Sequence, residues 1–239
     1  MDSLAATVSV RQTSGELLEG LRWAAVSIDV LRTAAPWRTF RWHKEQRHYS
    51  GTYWSVTTGD HVIYESRLEL AHLLCADFDP LVHAIVAQPF LLKSVFEGQI
   101  RKHIPDYLLI TDHGPVVVDV KPRRRWSDPV VSFTFAWARQ VVAARGWRYE
   151  VWDAPPQAEL ENVRFLAGYR RPWLFDPGLV EELRRADLDG VLLGQAASRL
   201  PRPPEPLVRA AVHHLLWSHD LHADLTEPLG PSTVLRRTP

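Results

Sequence analysis

The 239-residue chain has a single cysteine, Cys75, so it can form no internal disulfide and no cysteine-rich zinc module, and it suits a reducing cytoplasm. No apolar run approaches the roughly 18 residues needed to cross a bilayer, and the first residues lack a charged-then-apolar signal layout. A cytoplasmic protein with no membrane segment is therefore expected. Charge of one sign is missing as well: 28 Lys and Arg stand against 28 Asp and Glu, for a formal net charge of zero. Many nucleic-acid binders are strongly basic, so contact with DNA here would need locally concentrated charge or a partner's grip. A glycine-rich phosphate loop, a Gly-x-Ser-x-Gly elbow and a nucleophile-activating neighbour for Cys75 are all absent. The sequence does have 46% hydrophobic residues, 23% charged residues and ten tryptophans. That is an ordinary globular composition, and scattered tryptophans read first as packing residues.

Pattern divides the chain into an N-terminal arm (1–35), a central domain (36–155) and a helical C-terminal domain (156–239). The arm shows weak periodicity, with one short helix expected near Leu17 to Leu31. Strands are expected over Arg38 to Trp42 and Tyr53 to Thr57, where aromatic and polar residues alternate. From Tyr64 the apolar spacing of Leu68, Ala71, Leu74 and Cys75 becomes helical, and Asp79-Pro80 ends that helix. Three strand-like runs follow: His83 to Phe96 with a bend at Gln88-Pro89, His103 to Thr111, and Pro115 to Lys121. Short turns between them predict an antiparallel meander. A helix over 129–144, closed by Gly146, and a strand from Arg148 to Trp152 complete an α/β order. Beyond Pro155-Pro156, helices are expected over Pro177 to Arg185, Leu188 to Leu200 and Glu205 to Leu216. A hairpin-compatible tail then gives a winged-helix-like layout.

The chemistry concentrates in Ile104-Pro105-Asp106 and Val116-Val-Val-Asp119-Val-Lys121. Alternate residues of a strand share a face, so Asp119 and Lys121 point the same way. The Asp112-His113-Gly114 turn lays the Asp106 strand alongside, so two carboxylates and an ammonium converge at one sheet edge. A lone aspartate in a valine-rich strand costs several kcal/mol to bury unless it is paired. Asp119-x-Lys121 alone reads as a structural ion pair, and the Pro-Asp on the adjoining strand turns the balance towards a site. Two carboxylates suit Mg²⁺, with Mn²⁺ able to substitute, and such a metal lowers the pKa of a bound water for in-line attack on phosphate. Lys121 would orient that water or neutralise developing charge. Glu65 and Glu69 share one helix face, and Glu69, beside the apolar stripe, is the better candidate to complete the site. Arg123, Arg124 and Arg125 follow directly, where they would meet a phosphate backbone if the site cuts DNA. His213-His214 and His219-x-x-His222 read as ordinary core or surface histidines.

Five segments together resemble the TnsA endonuclease, the nuclease subunit of heteromeric transposases. They are Tyr64-Glu-Ser-Arg-Leu-Glu69-Leu, Phe78-Asp-Pro80, Ala87-Gln-Pro-Phe90, His103-Ile-Pro-Asp106-Tyr and Val118-Asp-Val-Lys-Pro122. Order and spacing agree across roughly residues 40–155. The resemblance implies a restriction-endonuclease-like (αβββαβ) core of the PD-(D/E)xK type that nicks the 5′ ends of a mobile element. It further implies three partners: transposon-end DNA, a DDE-type (TnsB-like) transposase and an AAA+ ATPase regulator (TnsC-like). By position, Glu69 matches the family's helix glutamate, Asp106 its metal-binding aspartate and Lys121 its lysine. Asp119 falls where the family can carry glutamine, and an aspartate there should strengthen the metal site. In the C-terminal part the resemblance is slight. A stand-alone restriction or repair nuclease and a non-catalytic DNA-binding assembly subunit are the competing readings.

Overall fold

The computed structural model describes residues 6–38, 49–200 and 204–237, and it is a mixed α/β protein. The chain divides into two compact units, Met1–Asp77 with Leu81–Asp153, and Phe78–Pro80 with Ala154–Pro239.

The first unit opens with β1 (Ala6–Arg11), β2 (Leu17–Arg22) and α1 (Ile28–Arg32). Next come β3 (Gly51–Ser55), β4 (Asp60–Tyr64) and α2 (Arg67–Phe78). Five strands follow: β5 (Val82–Ala87), β6 (Leu91–Phe96), β7 (Gln99–His103), β8 (Tyr107–Thr111) and β9 (Gly114–Val120). The unit closes with α3 (Pro129–Ala143) and β10 (Arg148–Trp152). Strands β10-β9-β8-β5 form one sheet and β2-β1-β6-β7 a second, while β3 and β4 pair as a hairpin. In the first sheet β10 runs parallel to β9, as a crossover through α3 requires, and β8 is antiparallel to both β9 and β5. Local chemistry fixes α3: the Asp128 side chain accepts from the Val130 and Val131 amides, Pro129 occupies the first turn, and Gly146 beyond the end adopts φ 79°.

Residues 6–34 are not a loose arm. Val8 and Val10 of β1 are fully buried beside Leu92 of β6, and the Trp23 indole donates to the Val141 carbonyl of α3 at 3.0 Å. The expected helix near Leu17 to Leu31 is instead β2 followed by the short α1. Gly20, at φ 66°, breaks helical continuity where the β1–β2 register shifts. The expected strand over Arg38 to Trp42 lies, past Arg38, outside the described residues.

The run His83 to Phe96 is two strands in two sheets rather than one bent strand. Gln88 at φ 46° and the following Pro89 turn the chain from β5, which pairs with β8, to β6, which pairs with β1 and β7. The meander is therefore replaced by a β6–β7 hairpin inserted between two neighbours in the first sheet.

A buried carboxylate anchors the β3–β4 hairpin to α2. Asp77 accepts from the Tyr53 and Ser55 hydroxyls and from the Val56 and Thr57 amides.

The second unit contains α4 (Gln157–Leu166), α5 (Pro177–Arg185), α6 (Leu193–Ala196), α7 (Glu205–Trp217), β11 (Leu221–His222) and β12 (Arg236–Arg237). The expected Leu188–Leu200 helix shrinks to α6 and a 3-10 turn. Leu188 and Val191 are buried in an extended stretch around Gly190 (φ 72°), and Leu192 bridges antiparallel to Val234. β11 pairs antiparallel with β12. The Asn162 amide of α4 donates to the carbonyls of Leu225 and Glu227, and its oxygen accepts from Leu229, pinning the connection between these strands. Among the described residues, no helix is long and apolar enough to cross a membrane.

Candidate active site

In β9, Val116, Val118 and Val120 alternate with Val117 and Asp119, so Asp119 shares the face of Val117 that packs towards α3. The register Tyr107↔Val118 sets Asp106, one residue before β8, opposite Asp119. Asp106 Oδ2 accepts from the Val120 amide at 2.7 Å and lies 3.6 Å from Lys121 Nζ. Two further contacts hold the lysine backbone: its amide donates to the Trp152 carbonyl at 3.0 Å, and the Trp126 indole donates to its carbonyl at 2.8 Å. The Lys121 side chain is 40% exposed and that of Asp106 20%, so this edge opens to solvent.

Asp119 is only 2% exposed. His103 Nε2 spans its two oxygens at 2.9 and 2.8 Å, and the Tyr149 hydroxyl donates to Oδ2. Burial and then the adjacent Asp119 charge raise the Tyr149 pKa far above the usual phenol range, so the hydroxyl keeps its proton.

Glu69 lies in the first turn of α2 and closes a capping arrangement. Its amide donates to Ser66 Oγ at 3.1 Å, Ser66 Oγ donates back to Oε1 at 3.0 Å, and Oε2 accepts from the Glu65 amide at 2.7 Å. Glu65 faces elsewhere, bonded to Gln88 Nε2 at 2.8 Å and Arg38 Nη1 at 2.9 Å.

The four groups interact electrostatically. Burial raises the Asp106 pKa to about 6; Lys121 and the Val120 amide pull it down, while Asp119 and Glu69 push it up. Burial also raises the Glu69 pKa, against its hydrogen bonds to Glu65 and Ser66 and the attraction of Lys121. A carboxylate whose pKa is raised by burial and by neighbouring carboxylates, with an ammonium at hand, is a common mark of functional sites. Below them, His72 of α2 is held between the rings of Tyr107 and Trp152, with centroids 5.1 and 5.0 Å away. Burial drops its pKa to about 3, so it is a neutral packing group.

Arg123, Arg124 and Arg125 form an exposed 3-10 turn directly after Lys121-Pro122. The Arg123 guanidinium lies 5.3 Å from the Trp126 ring centroid and Arg125 sits 3.9 Å from Asp128.

Asp106, with Asp119, Glu69 and Lys121 near enough to act on it electrostatically, offers the hard oxygen chemistry that a divalent cation takes. Asp106 Oδ1 takes no hydrogen bond among the described residues, and the raised Asp106 pKa is the repulsion and burial that a cation would relieve. The remaining oxygens are engaged: His103 and Tyr149 hold Asp119, and Ser66 and Glu65 hold Glu69. Among the described residues, no three His, Cys, Asp or Glu side chains are grouped so that they could hold a metal ion.

Sequence reasoning did not single out His103, Tyr149 or Ser66. His103 stood in view three residues before Asp106, but its contact with Asp119 depends on β7 belonging to the other sheet. Tyr149 reaches Asp119 through the register of the parallel β9–β10 pairing, which no local pattern announces.

Comparison with protein-family models and with curated proteins returns no match.

Proposed function

We propose that this chain is a metal-dependent DNA endonuclease acting as the TnsA-like subunit of a heteromeric transposase. The observation that carries the reading is the placement of Asp106, just before β8, opposite Asp119 of β9, with Lys121 3.6 Å from Asp106 and the Asp106 pKa raised to about 6. The element order α2-β5-β8-β9-α3-β10, with the β6–β7 hairpin as an insertion, is compatible with an αβββαβ restriction-endonuclease-like core. The order α5, α6, α7, β11, β12, with Leu192 bridged to Val234, is likewise compatible with a winged-helix-like second unit. In that unit α7 is buried along its second half, so only its first turns face solvent.

Asp106 and Asp119, with Glu69 beside them, would hold Mg²⁺ or Mn²⁺. When bound, such a metal supplies an activated water and charge neutralisation at a phosphate. Asp106 presents its unbonded Oδ1 at the open edge of the sheet. His103 and Tyr149 fix the plane of the Asp119 carboxylate. Lys121, anchored through Trp126 and Trp152, delivers an ammonium to the same edge, where it stabilises negative charge developing on a phosphate oxygen. Arg123 to Arg125 extend positive charge away from Lys121 along the path a backbone would follow. The reaction would be hydrolysis of phosphodiester bonds at the 5′ ends of a mobile element in the cytoplasm, alongside a DDE-type (TnsB-like) transposase and an AAA+ (TnsC-like) regulator.

The engagement of both Asp119 oxygens by His103 and Tyr149 favours one competing reading, a DNA-binding assembly subunit without catalysis. A plasmid carrying the element's ends, incubated in Mg²⁺ or Mn²⁺ with and without the transposase, separates the possibilities. Nicking at the 5′ ends that needs the partner, and is lost in Asp106→Ala and Lys121→Ala, supports the transposase subunit. Partner-independent cutting indicates a stand-alone nuclease, and no cutting in either arm indicates the assembly subunit.

A further inference from the structure

The β2-β1-β6-β7 sheet buries one face; the other is covered at Ser9, which is 1% exposed, and opens to solvent along β7 and at Arg22. Val8, Leu21 and Leu92 point inward, so their neighbours in sequence, Thr7, Arg22 and Lys93, point outward. The register sets Arg22 opposite Thr7, Thr7 opposite Lys93, and Lys93 opposite Lys102. A single row across four strands therefore displays three cations. None of the three forms an ion pair with a described acidic residue. One step towards the hairpin tip, Val95 (52% exposed) and Ile100 (72% exposed) form an exposed apolar cross-strand pair.

Like charges placed directly opposite each other in an antiparallel pair destabilise the hairpin. Lys93 opposite Lys102 thus works against folding unless an anion lies over both. The spacing of strands, about 4.8 Å, spreads such a row into a linear cationic track. β7 ends at His103, whose ring rests on Asp119, so the hairpin carrying the row is continuous with the candidate active site.

We propose that the outward face of the β6–β7 hairpin, with Arg22 beside it, is a binding surface for the phosphate backbone of duplex DNA. This rests on the nuclease reading in taking DNA as the polyanion. Lys93 and Lys102 contact backbone phosphates, and Val95 and Ile100 press against the sugar edges beside them.

The test is binding of the full chain to a short fluorescein-labelled duplex in EDTA, followed by anisotropy over a series of salt concentrations. Lys93→Gln/Lys102→Gln should weaken binding about tenfold at 0.1 M salt and lower the slope of log K against log salt by about 2. Arg164→Gln, which removes an exposed charge from α4, should change neither. Because the lysines repel each other, the double variant should melt no lower than the wild type, which separates lost binding from lost folding. Unchanged duplex affinity in the double variant, or no duplex binding by the wild type, overturns the proposal. So does binding of polyglutamate in place of the duplex. Lysine-dependent duplex binding by a chain that never nicks DNA upholds this surface while removing the nuclease reading.

Discussion

Replacing Asp106 by asparagine keeps the side chain's shape and the acceptor for the Val120 amide while removing a charge that the fold holds at a cost. The Asp106 carboxyl titrates at about 6 in the folded chain, because burial and the neighbouring Asp119 and Glu69 outweigh Lys121 and the amide. An unfolded aspartate titrates near 3.9, so between about pH 4 and pH 6 the folded state binds more protons than the unfolded one. Stability therefore falls as pH rises through that window, and at neutral pH the ionised carboxylate costs on the order of 2–3 kcal/mol. Asp106→Asn should recover that amount at pH 7.5, for a rise in melting temperature of about 5–10 °C, and almost none at pH 4. Guanidinium unfolding at both pH values, followed by tryptophan fluorescence, reads the effect. Eight of the ten tryptophans precede residue 154 and so report on the first unit. The same variant should lose metal-dependent nicking. An Asp106→Asn chain that is no more stable than the wild type at pH 7.5 would refute the argument that this carboxylate is held against its own repulsion.

Glu69→Gln separates capping from catalysis. Glutamine also serves in a capping box, so stability should stay within about 0.5 kcal/mol of wild type while nicking falls at least a hundredfold if the carboxylate acts chemically. Full activity would leave Glu69 with its capping role alone. Asp77→Ala strips the acceptor from two hydroxyls and two amides and should destabilise the first unit by about 3 kcal/mol or more, measurable by denaturant midpoint. In the second unit, Asn162→Ala should cost about 2 kcal/mol and speed amide exchange at Leu229, whose N–H it satisfies. Exchange at Leu229 that stays as slow as in wild type would show the loop is held by other contacts. His213, whose pKa burial lowers to about 4, makes the second unit lose stability as pH falls from about 6.5 towards 4, and His213→Phe should flatten that dependence in a pH series of melting curves.

Local chemistry along the sequence determined several elements of this protein by itself. Pro-Asp, Asp-x-Lys and the Asp-His-Gly turn between them set Asp106 opposite Asp119 of the neighbouring strand, because a tight turn and period-two alternation leave few other placements. Asp128-Pro129 and Asp176-Pro177 started their helices for equally local reasons, a side-chain cap and a fixed φ. Long-range pairing was decided only in the tertiary structure. The run His83 to Phe96 is uniformly strand-like, and nothing within it tells that β5 and β6 belong to different sheets. The partner of β6 is β1, about eighty residues earlier, whose short Val-Ser-Val alternation is too brief to stand out. That single pairing folds residues 6–34 into the first unit, brings His103 onto Asp119, and aligns Arg22, Lys93 and Lys102 in one row. Such contacts join residues far apart in the chain and are selected by the total apolar surface buried, a property of the assembled sheets and not of any one segment.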